Sequence, residues 1–481
     1  MGHLNFYAGI DNTLRMLAAT ELLIWPPAEE KNIPHRYTGQ AILDHVANIG
    51  AALKDQGITN GQKVLLALPV SFDLVGSLLA VMAIGAIPVL PPAAASRRNW
   101  WQLLRQQQIK LIITGQKPTI LQRWATKLLS VRFLNIADLN LIATAWLVPQ
   151  NVPATQAALI THSSGSTGKP KFIVRSHRVL QAQHQVLKDV FPPWPGQRDF
   201  PLFPNILLHN LSVGTLSILP QIPWPNFTQL KPAEIIRQLL HDQVDSLTGN
   251  VYYFRQLLTY LPYQPQQFSK VKAVGIGGSP VPENLVNALN PFFPAATFYI
   301  IYGSSEAEPI AVREVAESAA DPAQGYPAGY ICAGLECRIE PLGKLIFQDK
   351  STVTVGEIMV RGAHVATATP ADWWASGDYG YIAADGKLYL TGRRGNERLH
   401  GGVQHYQIEH VLLHQPGVKQ AAARATPTGF DLYVTGAVPE ADLRATLGVY
   451  FPVEIFNKIY FRQELPVDDR HHSKIRYDQL K

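Results

Sequence analysis

The chain has 481 residues, and its 42 Lys and Arg exceed its 36 Asp and Glu by six. With a pI near 9.1, this excess is scattered and lacks the basic block that marks a nucleic-acid-binding face, so no nucleic-acid partner is expected. Apolar residues make up 47% of the sequence and mean hydropathy is near zero; a disordered chain is excluded, and the length calls for two or more lobes.

Two cysteines, Cys332 and Cys337, form no disulfide framework, and no ordered set of histidines stands beside them to make a zinc site. A reduced, part-buried pair in a cytoplasmic protein is expected. The opening MGHLNFYAGIDNTLRML has no basic end followed by a continuous apolar run, so no targeting segment is expected.

In chain order, strand-like apolar runs alternate with amphipathic helical ones. The most apolar stretch, 64–92, reads as a strand at 64–68, a helix over about 71–84 and a short strand at 87–90. Pro69 and Asp73 interrupt it, and Leu78 to Ile87 is too short to cross a bilayer, so no membrane span is expected. NWWQLLRQQQ then precedes KLIIT, and further on AEIIRQLLHDQ precedes VDSLTG, VYYFRQLLTYL precedes VKAVGIGG, and PENLVNALNPF precedes TFYIIYG. Such alternation predicts parallel sheets covered by helices on both faces.

From about residue 328 the texture changes to short strands with turn residues, CRIEP, GKLIFQD, GEIMVRG and GKLYLTGR, as in a small antiparallel barrel or meander. GRRGNERLHGGVQ, from Gly392, is polar and glycine-bearing and suits a hinge. A helix (YQIEHVLLHQ), two strands, a second helix (EADLRATLGVY) and a basic tail follow. The predicted fold is therefore α/β. A large N-terminal domain, 1–393, holds two helix-covered, mostly parallel sheets and a small β-barrel-like subdomain; a hinge joins it to a small, mobile α+β domain, 394–481.

The stretch THSSGSTGKPKF, 161–172, concentrates hydroxyls, glycines and lysines. It fails the kinase-type phosphate-loop pattern, because Pro170 follows Lys169 where a Ser or Thr is needed and Ser163 stands where the first glycine belongs. A surface turn would share this composition. Yet the loop follows a strand-like run, offers hydroxyls at Ser163, Ser164, Ser166 and Thr167, and has Gly165 and Gly168 to let backbone N–H groups approach an anion. It reads as a cradle for a polyphosphate.

SSGSTGKPK resembles the phosphate-binding signature of the adenylate-forming (AMP-binding) superfamily, which includes acyl-CoA synthetases, non-ribosomal peptide adenylation domains and luciferases. The other motifs stand in the same order: GIGGSPVP (275–282), YGSSEAEP (302–309), GEIMVRG (356–362), SGDYGYIAADGKLYLTGR (376–393) and LPVDDRHHSKIRYDQL (465–480). The resemblance covers the chain from about residue 37 to its end. It implies that Ser163, Ser164, Gly165, Ser166, Thr167, Gly168, Lys169 and Lys171 hold the phosphates of ATP, and that Gly277 and Gly278 flank the adenine. It further implies that Tyr302, followed by Gly303, stacks on the base, that Ser305 supports the phosphate region, and that Glu306 carries Mg²⁺. It implies as well that Asp378 takes the ribose hydroxyls, that Arg393 contacts the nucleotide at the hinge, and that Lys474 is the catalytic lysine bridging the acid and the α-phosphate.

The implied reaction is acid plus ATP to acyl-AMP and pyrophosphate, followed by transfer to a thiol, either CoA or the phosphopantetheine of a carrier protein. The acid pocket implied by the family involves 203–214, with His209 and Asn210, together with Gly277 and Ser304. The absence of an acidic residue from 203–214 disfavours an unmodified amino acid. DFPLFPN and YGSSEAEPIA also resemble olefin-pathway β-lactone synthetases, which adenylate a β-hydroxy acid and close it without a thiol. A degenerate nucleotide-binding member is the third reading; retention of Lys169, Glu306, Asp378, Arg393 and Lys474 argues against it. The chain departs from the family pattern at Phe172 and Ser473, each at a usual glycine, at Asn396 in the hinge, and in GGVQHYQIEHVL, which is about two residues short.

Overall fold

The computed structural model describes residues 2–26, 34–92, 97–117, 130–139, 146–163, 171–224, 226–264, 267–315, 321–468 and 472–481. The chain divides into two compact units, Met1–Val244 and Asp245–Lys481.

In the first unit the strands are β1 (Glu21–Trp25), β2 (His35–Thr38), β3 (Lys63–Ala67), β4 (Ile87–Val89), β5 (Leu111–Thr114), β6 (Arg132–Asn135), β7 (Ala157–Ser163), β8 (Lys171–Ser176), β9 (Arg198–Pro201) and β10 (Leu216–Ile218). Its helices are α1 (Phe6–Met16), α2 (Gly39–Asp55), α3 (Phe72–Ala83), α4 (Arg97–Gln107), α5 (His177–Val190), α6 (Pro204–Val213) and α7 (Pro232–His241). One sheet has the order β6-β5-β3-β4-β7-β8 and is parallel except for the last pair. A second runs β9-β10-β1-β2, with only β1 and β2 antiparallel.

The 64–92 stretch folds as its pattern predicts. Val64, Leu65 and Leu66 are fully buried in β3, as a strand covered on both faces requires. Ser71 caps α3 by accepting the Leu74 N–H at 3.2 Å. Leu79, Val81 and Met82 of α3 join Ile42, Val46 and Leu53 of α2 in the main core. Among the described residues, no helix is long and apolar enough to cross a membrane.

The second unit contains β11 (Ser246–Asn250), α8 (Val251–Leu258), β12 (Ala273–Gly277), α9 (Glu283–Leu289), β13 (Thr297–Ser304), β14 (Ala307–Glu314) and β15 (Tyr326–Ile331). Then come β16 (Leu335–Ile346), β17 (Thr352–Gly362), β18 (Trp374–Ile382), β19 (Lys387–Arg393), α10 (His405–His414), β20 (Val418–Ala425), β21 (Phe430–Gly436), α11 (Glu440–Tyr450) and β22 (Phe456–Phe461). Strands β11, β12 and β13 are parallel. From β13 the sheet turns antiparallel, in the order β14-β15-β19-β18-β17-β16.

CRIEP and GKLIFQD, which read as separate strands, are one. Pro341 lacks an N–H for the ladder, and the β16–β17 pairing shifts between Pro341 and Gly343 instead of ending there. Strands β20, β21 and β22 form a separate three-stranded sheet. Residues beyond Arg393 pack within this second unit. In α10 every residue from His405 to Leu413 is buried, and Ile408, Val411 and Leu412 share a core with Leu388 and Leu390 of β19 and with Ala421 and Ala423 of β20.

Candidate nucleotide and acid site

Three of the expected nucleotide residues meet in the second unit. Asp378 and Arg393 are directly paired positions of β18 and β19, so their side chains share a face. The Arg393 Nη1 lies 3.1 Å from Asp378 Oδ1, and the Tyr302 hydroxyl donates to Asp378 Oδ2 at 3.0 Å. Burial, and then the adjacent Asp378 charge, push the Tyr302 phenol well above its ordinary range, so it remains a donor. The same carboxylate raises the Arg393 guanidinium, which remains a cation. Each carboxylate oxygen of Asp378 has two lone pairs, so both keep acceptor capacity for further hydroxyls.

Gly278, Ser279, Tyr302, Asp378, Arg393 and Lys474 line a recess of about 40 Å³. It shares Pro280, Tyr326, Arg393 and Lys474 with an adjoining cleft of about 270 Å³. The last two glycines of the GIGG turn are required by geometry. A Cβ on Gly277 would stand 2.7 Å from the Ile301 carbonyl oxygen, and Gly278 has φ +84°.

Lys474 reaches the recess from a turn that Asp468 organises. The Asp468 carboxylate accepts the Lys474 N–H at 3.0 Å and the Ser473 N–H at 3.4 Å, while the Asp468 N–H donates to the Lys474 carbonyl at 2.9 Å. Sequence reading missed this role. The signal was an Asp six residues before the lysine, an anchor for a closed turn.

Ser304 ends β13, and Ser305 and Glu306 connect it to β14. The Ser304 hydroxyl accepts the Glu306 and Ala307 N–H groups at 3.3 and 3.4 Å. Ser304, expected at the acid pocket, thus shapes the turn that presents Glu306. Ser305 and Glu306 are half-buried, and Ala366 N–H donates to the Glu306 carbonyl at 2.7 Å. One accessible carboxylate fits a magnesium ion that takes its other ligands from phosphates and water.

In the first unit, Ser163 and Lys171 are opposed across the β7–β8 pair, so the strands hold both ends of the phosphate-type loop. Ser164, Gly165, Ser166, Thr167, Gly168 and Lys169 lie outside the described residues. Phe172, at the usual glycine, packs edge-on against His162, ring centroids 4.6 Å apart. His209 in α6 is buried, and its Nδ1 lies 3.1 Å from His184 Nδ1 of α5. Burial, with His184 and Lys188 beside it, lowers His209 to about 3, so one neutral ring donates and the other accepts. Sequence reading missed His184. The Asn210 amide donates to Asp199 at 2.8 Å and to Ser217 at 2.9 Å, which commits both its donors inside the unit.

Compared with known proteins, residues 21–368 match the family model described as AMP-binding enzyme. The chain is 28% identical to an olefin β-lactone synthetase of Stenotrophomonas maltophilia, over 90% of this chain and 88% of that protein. It is 22% identical to a 4-chlorobenzoate–CoA ligase of an Arthrobacter species, over 82% and 78% of the two chains. Its fold is shared with O-succinylbenzoate coenzyme A synthetase from Bacillus subtilis, solved with ATP and magnesium, at TM-score 0.77 and 18% identity, covering 98% and 99% of the chains. It is shared also with the anthranilate CoA ligase AuaEII, solved with anthranoyl-AMP, at TM-score 0.81 and 17% identity, covering 99% and 96%. With a family match over most of its length and the Tyr302–Asp378–Arg393 cluster assembled beside Lys474, the chain belongs to the AMP-binding enzyme family.

Proposed function

We propose that the chain adenylates a carboxylic acid with ATP, releasing pyrophosphate. The observation that carries this reading is the meeting of Tyr302, Asp378, Arg393 and Lys474 on one recess. Both reactants are anions, so the site must offset their repulsion and align the acid with the α-phosphorus. In this reading the Asp378 carboxylate accepts the ribose hydroxyls, Tyr302 flanks the base, and Arg393 fixes Asp378 from the opposite side. Lys474 bridges the acid and the α-phosphate. The segment from Ser163 to Lys171 takes the outer phosphates. Magnesium, held by Glu306, neutralises phosphate charge when bound.

We take 1–393 and 394–481 as the functional division, and the cytoplasm as the place of action. For the second step, likeness to an olefin β-lactone synthetase over nine-tenths of the chain supports a β-hydroxy acid whose own hydroxyl captures the acyl group. A thiol acceptor, CoA or a carrier-protein phosphopantetheine, is the second reading, supported by likeness to CoA ligases. The test is pyrophosphate release across fatty, β-hydroxy and aryl acids, with and without CoA, on wild type and Lys474→Ala. Release stimulated by one acid and lost in the variant is expected. Equal release by the variant would remove Lys474 from the chemistry.

A further inference from the structure

A buried polar chain runs from the tail that carries Lys474 to the nucleotide recess. The Glu409 side chain, in α10, is almost fully enclosed, and it accepts from three directions. Tyr477 O–H donates to Oε1 at 2.8 Å and lies 3.0 Å from Oε2. The Ala423 N–H reaches Oε1 at 3.0 Å, and His405 Nδ1 stands 2.9 Å from the same oxygen. The other nitrogen of His405 accepts the Arg393 backbone N–H at 2.9 Å. Those two bonds fix the tautomer: the proton is on Nδ1, and Nε2 is the acceptor. Burial, and then the neighbouring Glu409, push Tyr477 well above the ordinary phenol range, so it stays a donor.

A carboxylate in an apolar interior is costly unless it is hydrogen-bonded, and a buried network of this kind favours one geometry. Here it ties three elements together. Tyr477 follows Lys474 by three residues, and the tail between them is pinned by the Val467–Ile475 bridge and by the Arg476 N–H donating to the Pro466 carbonyl at 2.9 Å. At the far end, Arg393 holds Asp378. The Tyr477 ring also packs edge-on against His405, centroids 4.8 Å apart.

We infer that Glu409 is a positioning residue that links the Lys474 tail to the Arg393–Asp378 pair, through Tyr477 on one side and His405 on the other. The inference rests on the proposed nucleotide site. Occupation of the recess steadies Arg393, and the network passes that restraint to the tail, so nucleotide and lysine become ordered together.

The test is hydrogen exchange of the 465–481 amides with and without AMP, on wild type, Tyr477→Phe and Glu409→Gln, with AMP affinity measured by calorimetry. In wild type, AMP slows exchange of this segment about tenfold, the weight of one hydrogen bond to a charged acceptor. Tyr477→Phe keeps the ring and its packing; the slowing disappears, and by linkage AMP affinity falls by no more than the same factor of about ten. Glu409→Gln behaves the same way. A merely structural role would raise exchange equally with and without AMP, leaving the ratio intact, and that result overturns the inference alone. AMP binding to wild type without any slowing overturns it too. A wild type that binds no AMP removes the nucleotide reading and this inference together.

Discussion

Replacing Asp378 by Ala leaves two groups without their acceptor. The Tyr302 hydroxyl is buried and loses a charge-assisted bond of 3.0 Å, a loss of about 1.5–3 kcal/mol. The Arg393 side chain is 39% exposed, so water screens its share to about 1 kcal/mol or less. Together the variant should lose about 1.5–4 kcal/mol, and Tyr302→Phe, which removes only the donor, about 1–2 kcal/mol. Because both changes remove the same bond, the double variant should fall short of their sum by about 1–2 kcal/mol. Urea unfolding of the four proteins measures this directly. AMP calorimetry on the same set should show that Asp378→Ala weakens binding more than Tyr302→Phe does. Strict additivity, or an Asp378→Ala protein as stable as wild type, would refute the assignment of this triad as one coupled unit.

Asp468→Ala should free the Ser473 and Lys474 N–H groups and lower acid-dependent pyrophosphate release about tenfold, with AMP affinity nearly unchanged; an unaltered rate would show that the turn holds without it. Gly277→Ala places a methyl 2.7 Å from the Ile301 carbonyl and should cost about 1–3 kcal/mol in denaturant unfolding. Burial lowers His177 to about 4 and His209 to about 3. With folded values below the ordinary 6.5, their contribution is complete above that pH and is lost as the pH falls from about 6.5 toward 4. Moving from pH 7.5 to 5.5 should lower the unfolding free energy by about 1 kcal/mol for each histidine, and a His177→Gln, His209→Gln double variant should lose correspondingly less on acidification.

Much of the fold was legible because its signals are local. The 64–92 run alternated between strand and helix periods, and EADLRATLGVY became α11 without a residue's difference. β18 was harder, since WASGDYGYI is rich in glycine and carries its chemistry in the strand itself, so motif reading masked the ladder. β22 (Phe456–Phe461) was passed over because a basic tail hides a short edge strand. At the site, the family resemblance named Tyr302, Asp378, Arg393 and Lys474, and the structure brings these four together. Tertiary partners were not legible. Nothing in the sequence announces that Asn210 is committed to Asp199, that His184 faces His209, or that Glu409 gathers Tyr477, His405 and the Ala423 amide. These pairings join residues up to 68 positions apart, and only the folded chain specifies them.

The enclosure of α10 bears on how readily the C-terminal part can reorient. Turning it about Arg393 would carry the helix away from its neighbours and break the bonds from Gln407 Nε2 to the Ala323 carbonyl (2.7 Å), from Thr391 Oγ1 to Gln404 (2.6 Å) and from Arg393 N to His405 (2.9 Å). At about 1 kcal/mol net for each bond, losing the three removes about 3 kcal/mol, so a rotated arrangement that forms nothing in their place would hold roughly one molecule in a hundred or fewer at rest. An acceptor or product that favours that minority must therefore bind it about a hundredfold more tightly than the majority form to make the two equally populated. A molecule that closes its own acyl group within the recess faces no such demand.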